Sequence, residues 1–151
     1  MQSLRISVLV SIFTLTSLNA GPALGKPKSK PFKGNAQGQV TGIVPSAEGL
    51  LLTVHSEGNA THLGNFTRDE EVLYNPSTGT VTGELTFTAA NGDLLYASVE
   101  GAFTSPTTVG GIYEFAGGTG RFINASGVAD FQLTTLDLAN ATITFDGSIS
   151  Y

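Results

Sequence analysis

Apolar and polar residues alternate with a period of two in segment after segment of the chain from residue 34 onward. In 80–88, Val81, Leu85 and Phe87 alternate with threonine and glutamate, and 142–151 repeats the pattern with isoleucine, phenylalanine and tyrosine. Such alternation is typical of antiparallel strands with one buried and one solvated face. No window of adequate length shows a helical period.

Turn residues divide this pattern into strands. Asn91-Gly92 lies between two alternating runs and suits the type I′ turn of a β-hairpin, which needs positive φ at both central residues. The predicted strands are 34–43, 49–57, 60–74, 80–90, 93–104, 109–116, 126–135 and 139–151. We therefore expect an all-β fold, an eight-stranded antiparallel closed barrel that leaves no sheet edge exposed, with a β-sandwich as the alternative.

The composition agrees with such a fold and excludes several kinds of site. Only 13% of the residues are charged, against about 25% in an average protein, which argues against a coiled coil or long surface helices. The chain has no cysteine. Disulfides, thiolate zinc sites, iron–sulfur clusters and a cysteine nucleophile are therefore excluded.

The beginning of the chain is typical of an export signal. Arg5 precedes an apolar stretch of 13 residues, 6–18, which is too short to span a membrane, and Ala23-Leu24-Gly25 offers small residues for cleavage. We expect residues 1–25 to be a cleaved signal peptide, with Ala20 as a second possible cleavage point, and the protein to be secreted or periplasmic. No later stretch is long enough to span a membrane, so an integral membrane protein is not expected.

After the predicted cleavage point, the charge of the chain changes sign. Residues 26–33 carry four lysines and two prolines, and we expect them to form a basic, flexible lead-in. Residues 34–151 form the single predicted barrel domain and carry two basic residues and all twelve acidic ones. Because a nucleic-acid-binding domain needs a basic face to neutralise phosphates, nucleic acid is rejected as a partner.

The segment Phe115–Gly127 has the most specific pattern in the chain. Its glycines do not form a phosphate-binding loop, because no Gly-Lys-Ser/Thr and no helical pattern follow. The segment resembles the GGTG-K/R-F-x-x-A-x-G hairpin of the allene oxide cyclase and dirigent superfamily. The matching residues are Gly117, Gly118, Thr119, Gly120, Arg121, Phe122, Ala125 and Gly127. A second segment, 58–67, resembles the ATHLG-x-F-T stretch of uncharacterised exported bacterial proteins with the same predicted barrel.

The resemblance implies an eight-stranded barrel, calycin-like in outline, with an apolar cavity. Allene oxide cyclases close a reactive fatty-acid epoxide inside that cavity, and dirigent proteins steer the coupling of radicals. The shared hairpin is a structural motif, so it implies the fold more directly than the activity.

Four phenylalanines are expected to point into the barrel, because each shares a face with the aliphatic residues of its strand: Phe87, Phe103, Phe131 and Phe145. They either fill the interior completely or line an apolar pocket. A pocket would make the barrel a ligand-binding protein, whereas a filled interior would make it a purely structural module.

Arg68 is the candidate polar residue of the cavity, since it shares its alternation phase with Phe66 and Val72. A buried arginine requires a carboxylate partner, for which Glu100 and Glu114 are candidates. Such a pair at the cavity mouth would hold the acid group of a ligand. The alternative, which we favour, is a bulge that shifts the register and places Arg68 in water.

The sequence offers no catalytic group, metal site or cofactor motif. His55 and His62 are the only histidines, and neither has metal-ligand spacing. We interpret one as a surface histidine and the other as a structural one. A two-histidine metal site completed by Glu57 or Asp69 is the alternative.

These observations predict an exported β-barrel module that is non-catalytic and binds a small apolar ligand in its lumen. The alternative is an isomerase, cyclase-like or dirigent-like enzyme that encloses and steers an apolar substrate, assisted by a carboxylate such as Glu100. The sequence leaves the oligomeric state open.

Overall fold

Eight antiparallel strands follow one another along the chain, in a computed structural model that describes Gly25 and residues 27–151. The strands are β1 (Lys30–Ser46), β2 (Gly49–Ala60), β3 (Gly64–Asn75), β4 (Thr80–Thr88), β5 (Leu94–Ser105), β6 (Thr108–Gly118), β7 (Ser126–Thr135) and β8 (Asn140–Ser150). Each strand pairs with the next, and β8 pairs with β1. The predicted all-β fold, an eight-stranded antiparallel closed barrel, is confirmed.

Helical structure is minimal in the described part of the chain. A 3-10 helix of three residues, Gly120–Phe122, lies between β6 and β7. Within the same residues, no helix has the length and apolar character that crossing a membrane requires. The expected signal peptide, apart from Gly25, lies outside the described residues.

The first strand begins at Lys30, four residues before the predicted start. Phe32 is completely buried inside the barrel, and the Lys33 ammonium lies 2.8 Å from a carboxylate oxygen of Asp146 on β8. The prediction of a flexible lead-in over 26–33 is therefore wrong for 30–33. The burial of Phe32 and the pairing of residues 30–33 with residues 146–149 of β8 hold this part of the basic run in the sheet.

The third strand begins at Gly64 and not at residue 60, because Thr61–Leu63 form the turn between β2 and β3. His62 adopts a φ of +65° in this turn, a left-handed conformation that ends the strand pattern. The remaining strand ends lie within three residues of the predicted positions.

The interior of the barrel divides into two halves along its axis. One half lies at the start of β1 and at the β2–β3, β4–β5 and β6–β7 connections, and we call it the filled end. It is packed with phenylalanines: Phe32, Phe66, Phe87, Phe115, Phe122 and Phe145. Except for Phe122, which packs on Tyr151, these rings contact one another with centroids 4.7 to 6.1 Å apart. The other half lies at the β1–β2, β3–β4, β5–β6 and β7–β8 connections and is called the open end.

Candidate functional site

A cavity of about 220 Å³ occupies the open half of the barrel. Aliphatic and aromatic side chains form most of its wall, among them Leu50, Leu52, Val72, Val99, Val109 and Leu133. The aromatic part of the lining comes from Tyr74, Phe103, Tyr113 and Phe131. The barrel interior is thus neither filled throughout nor hollow throughout.

A buried polar cluster lies at the inner side of this cavity, where it meets the phenylalanine core. Arg68 on β3 has 1% of its surface exposed and is the largest buried side chain of the described residues. Its Nη1 donates a hydrogen bond to the Tyr113 hydroxyl (2.6 Å), and its Nη2 donates to Glu70 Oε1 (3.1 Å) and Ser56 Oγ (3.3 Å). We call Ser56, Arg68, Glu70 and Tyr113 the lumen cluster.

Neighbouring rings fix the position of Tyr113. Its ring stacks on Phe131, with centroids 4.5 Å apart and planes 5° from parallel, and it contacts Phe145 of the filled end at 6.0 Å. The tyrosine thus stands between the aromatic core and the cavity. Stacking of this kind holds the hydroxyl in one place.

Burial and charge decide the protonation of the lumen cluster. Burial raises the pKa of the Tyr113 hydroxyl to about 12, although the Arg68 guanidinium beside it acts in the opposite direction. Burial by itself lowers the pKa of Arg68, but the Glu70 carboxylate and Tyr113 reverse this effect and leave that pKa raised. At neutral pH the cluster therefore contains a neutral tyrosine and an Arg68–Glu70 ion pair.

Two donors of the cluster have no acceptor among the described residues. The Arg68 Nε is buried and has no hydrogen-bond partner. The Tyr113 hydroxyl accepts from Arg68, and its own proton is free to be donated. A buried donor without an acceptor is costly, so an oxygen atom of a bound molecule would be held strongly here.

Arg68 and the four predicted phenylalanines fall into two groups. Arg68, Phe103 and Phe131 line the cavity, whereas Phe87 and Phe145 are buried in the phenylalanine core. All four predicted phenylalanines point into the barrel, although Phe103 is only partly buried. Both earlier alternatives, a filled and a lined interior, therefore hold, each in its own half.

The prediction that Glu100 or Glu114 pairs with Arg68 is wrong. Both are exposed on the outside of the barrel, because the inward positions of β5 and β6 belong to their neighbours Val99 and Tyr113. The partner of Arg68 is instead Glu70. Since Glu70 already neutralises the guanidinium, Arg68 is not free to pair with the acid group of a ligand.

The favoured alternative, a bulge that places Arg68 in water, is also wrong. The register of β3 runs without interruption against both β2 and β4. The alternation that puts Phe66 and Val72 inside therefore holds through Arg68. The same alternation could have identified Glu70, which lies two residues from Arg68 on the same face, and Tyr113, which shares a face with Phe115.

The glycine-rich hairpin closes the filled end. Its Phe122 is completely buried, and Thr119 Oγ1 accepts a hydrogen bond of 2.8 Å from the Leu94 backbone N–H. The Arg121 backbone N–H donates to Asp93, which also pairs with the Arg121 side chain at 3.7 Å. The remaining motif residues provide the backbone of this connection: Gly117, Gly118, Gly120 and Gly127. The contacts of this hairpin tie the β6–β7 connection to the β4–β5 turn, far from the cavity.

Neither histidine lies in the cavity. His55 is on the outside of β2, where its Nδ1 lies 2.6 Å from Asp69 and its Nε2 lies 3.9 Å from Glu57. His62 contacts the backbone oxygen of Pro31 at 3.0 Å in the β2–β3 turn. Within the described residues, no group of three or more His, Cys, Asp or Glu side chains is arranged to hold a metal ion.

Two solved structures have an architecture similar to that of this chain. The chain is similar to the pterocarpan synthase dirigent protein PsPTS1, with 16% identity and a TM-score of 0.64 over 83% of this chain and 97% of that one. It is similar to the pterocarpan synthase dirigent protein GePTS1, with 16% identity and a TM-score of 0.63 over 93% and 98%. No protein-family model and no curated protein matches the sequence. The chain therefore has a dirigent-like fold, an eight-stranded antiparallel barrel closed by its first and last strands.

Proposed function

We propose that this barrel binds a small, mainly apolar and uncharged molecule in the open half of its lumen, and that the molecule carries an oxygen atom that accepts a hydrogen bond. The observation that carries the proposal is the position of two free donors, Arg68 Nε and the Tyr113 hydroxyl, beside an apolar cavity. Each would gain a partner when such an oxygen is bound.

The size of the cavity limits the ligand. A dry cavity of about 150 Å³ is known to hold benzene. A cavity of about 220 Å³ accordingly suits one ring with a short substituent, with any longer part of the molecule extending through the open end.

The charge of the lumen cluster limits the ligand further. Arg68 and Glu70 form an ion pair, and Tyr113 is neutral because its pKa is raised to about 12. A carboxylate ligand would bring an uncompensated negative charge into an apolar site, at a large cost in solvation free energy. The proposed ligands are therefore ketones, aldehydes, ethers, alcohols and phenols.

A comparison of three probes tests the proposal: acetophenone, ethylbenzene, which lacks the carbonyl oxygen, and benzoate, which carries a negative charge. We expect acetophenone to bind about 2- to 12-fold more tightly than ethylbenzene, because one net hydrogen bond contributes about 0.5–1.5 kcal/mol. Benzoate should not bind. Tyr113→Phe should reduce the preference for acetophenone, and equal affinity for both neutral probes in the unmodified protein would overturn the proposal.

A second candidate is a dirigent-like or isomerase-type enzyme in which the lumen cluster acts on the substrate oxygen. It is favoured by the likeness to two pterocarpan synthase dirigent proteins and by an ion pair placed beside a neutral tyrosine inside the cavity. Chromatography of bound probes after long incubation tests it. A product that appears with the unmodified protein, and not with a folded Glu70→Gln variant that still binds, would identify an enzyme.

We also propose that the barrel acts outside the cytoplasm. The tripartite pattern of residues 1–25 supports export, so the barrel would meet its ligand outside the cytoplasm. Sequencing the N-terminus of the protein recovered from the medium or periplasm of its own cells tests this. An uncleaved intracellular chain would overturn it.

A further inference from the structure

The rim of the open end carries an exposed group of aliphatic side chains. Ile43 and Val44 near the end of β1 are 59% and 58% exposed, and Leu136 and Leu138 in the β7–β8 loop are 91% and 62% exposed. The two pairs come from neighbouring segments, since the Val40 N–H donates to the Ala139 oxygen at 2.8 Å. We call these four residues the mouth ring.

The β1–β2 hairpin is apolar on both faces at its tip. Ile43, Leu50 and Leu52 line the cavity, whereas Val44 and Leu51 pair with each other between those positions. Farther along β2, the residues that face away from the interior are polar, as Thr53 is. Antiparallel strands commonly carry polar side chains on a face that water covers, and the tip of this hairpin does not.

Hydrogen bonds and an unusual backbone angle fix the β7–β8 loop around Leu138. Leu138 adopts a φ of +58°, which a leucine rarely does. Asp137 accepts hydrogen bonds from the backbone N–H groups of Ala139 and Asn140 at 2.9 and 2.8 Å, and the Leu138 N–H donates to Thr135 Oγ1 at 2.9 Å. The loop is thus held in one conformation although it exposes two leucines.

The charged residues around the mouth of the cavity, at the open end, are all acidic. The open-end segments 42–52, 75–79, 105–108 and 135–141 contain no lysine or arginine, and their two acidic residues are Glu48 and Asp137. The exposed basic residues Lys33 and Arg121 belong to the filled end. An anionic surface would therefore attract the filled end and repel the mouth.

We propose that the open end sits on the surface of a zwitterionic lipid layer, with the mouth ring inserted among the headgroups. Apolar insertion without any basic residue suits a surface that has no net charge. A small apolar molecule dissolved in the lipid would then reach the cavity without crossing water. The proposal does not depend on which ligand the lumen cluster selects.

Sedimentation with vesicles tests the docking. The chain from Lys26 onward is used, because it contains every strand of the closed barrel and omits the apolar stretch 6–18, which could itself bind lipid. We expect it to bind phosphatidylcholine vesicles with little loss in high salt. Any additional binding when phosphatidylglycerol replaces part of the lipid would come from the basic filled end and should disappear in high salt. Absence of binding, or binding only to phosphatidylglycerol, would overturn the proposal.

Substitutions locate the contact. Leu136→Ser should lower the partition coefficient at least about tenfold, because the serine buries almost no apolar surface in the lipid, and Val44→Ser should lower it further. The matched control is Ile123→Ser, since Ile123 is 67% exposed at the filled end and should not affect binding. An equal loss with Ile123→Ser would overturn the proposal.

Two further measurements distinguish lipid docking from damage to the barrel and from a dimer interface. Acetophenone binding without vesicles should be unchanged in Leu136→Ser, whose side chain is not part of the cavity lining. A loss there would mean that the substitution damages the barrel. If light scattering shows a dimer that Leu136→Ser disrupts, while no vesicle binding occurs, the mouth ring is an interface between two copies and the lipid proposal is wrong.

Discussion

The Arg68–Glu70 ion pair should respond very differently to the loss of one partner and to the loss of both. Arg68 and Glu70 have side-chain exposures of 1% and 7%. In Arg68→Met, the Glu70 carboxylate remains buried without a counter-charge, and Ser56 and Tyr113 lose a donor. We expect a loss of about 3–5 kcal/mol in the free energy of unfolding.

The double variant Arg68→Met/Glu70→Leu removes both charges and fills the space with apolar atoms. Replacement of a buried pair in this way is often neutral or stabilising. Here Tyr113 and Ser56 still lose a hydrogen bond, each contributing about 1 kcal/mol. We therefore expect the double variant to be about 0–2 kcal/mol less stable than the unmodified protein, and so to recover at least about 1 kcal/mol of the loss in the single variant.

Urea unfolding followed by far-UV circular dichroism measures these values, since the chain has no tryptophan. The control is Arg121→Met, which breaks the surface pair with Asp93 (3.7 Å) and should cost no more than about 1 kcal/mol. If the double variant were as unstable as Arg68→Met, the loss would come from packing and not from an uncompensated charge. If it is stable and no longer distinguishes acetophenone from ethylbenzene, the pair is retained for binding.

Three further predictions follow from the two halves of the barrel and from its closure. Phe87→Ala should cost about 3–5 kcal/mol in unfolding free energy, because its ring is completely buried among other rings. Phe103→Ala at the existing cavity should cost clearly less, and equal losses in urea unfolding would contradict the division of the interior into a filled and an open half. Stability should fall as the pH rises from 10 to 12, because the unfolded chain releases the Tyr113 proton near pH 10 and the folded barrel only near pH 12. The fall should amount to about 2 kcal/mol in urea unfolding and should be absent in Tyr113→Phe. Gly118→Ala should cost about 1–3 kcal/mol, because the added Cβ would collide with the Leu94 backbone oxygen, and a variant of unchanged melting temperature would refute this.

Most of the fold could be predicted from the sequence, because a barrel with one buried face imposes a period of two on every strand. That period places Phe87, Phe103, Phe131 and Phe145 inside, as the structure shows. The start of β1 was missed because a run of lysines and prolines conceals the single phenylalanine that anchors it.

The lumen cluster was predicted only in part, because a charged residue at an inward position has two interpretations. Its contacts also join strands that do not pair: Arg68 on β3 meets Tyr113 on β6 across the interior, 45 residues away. Strand order alone does not determine such a contact. It depends on the diameter of the closed barrel and on which half the phenylalanines fill.

The seam between β1 and β8 has a practical consequence. These strands pair from Lys30 opposite Ile149 to Gln39 opposite Asn140, so the start of the first strand and the end of the last lie side by side at the filled end. A short linker between them would give a circular permutant with every strand pair intact, in which new termini are opened at a turn such as Asn91–Asp93. A fusion partner or a solid support attached at either original terminus would leave the mouth, on the opposite end, facing outward.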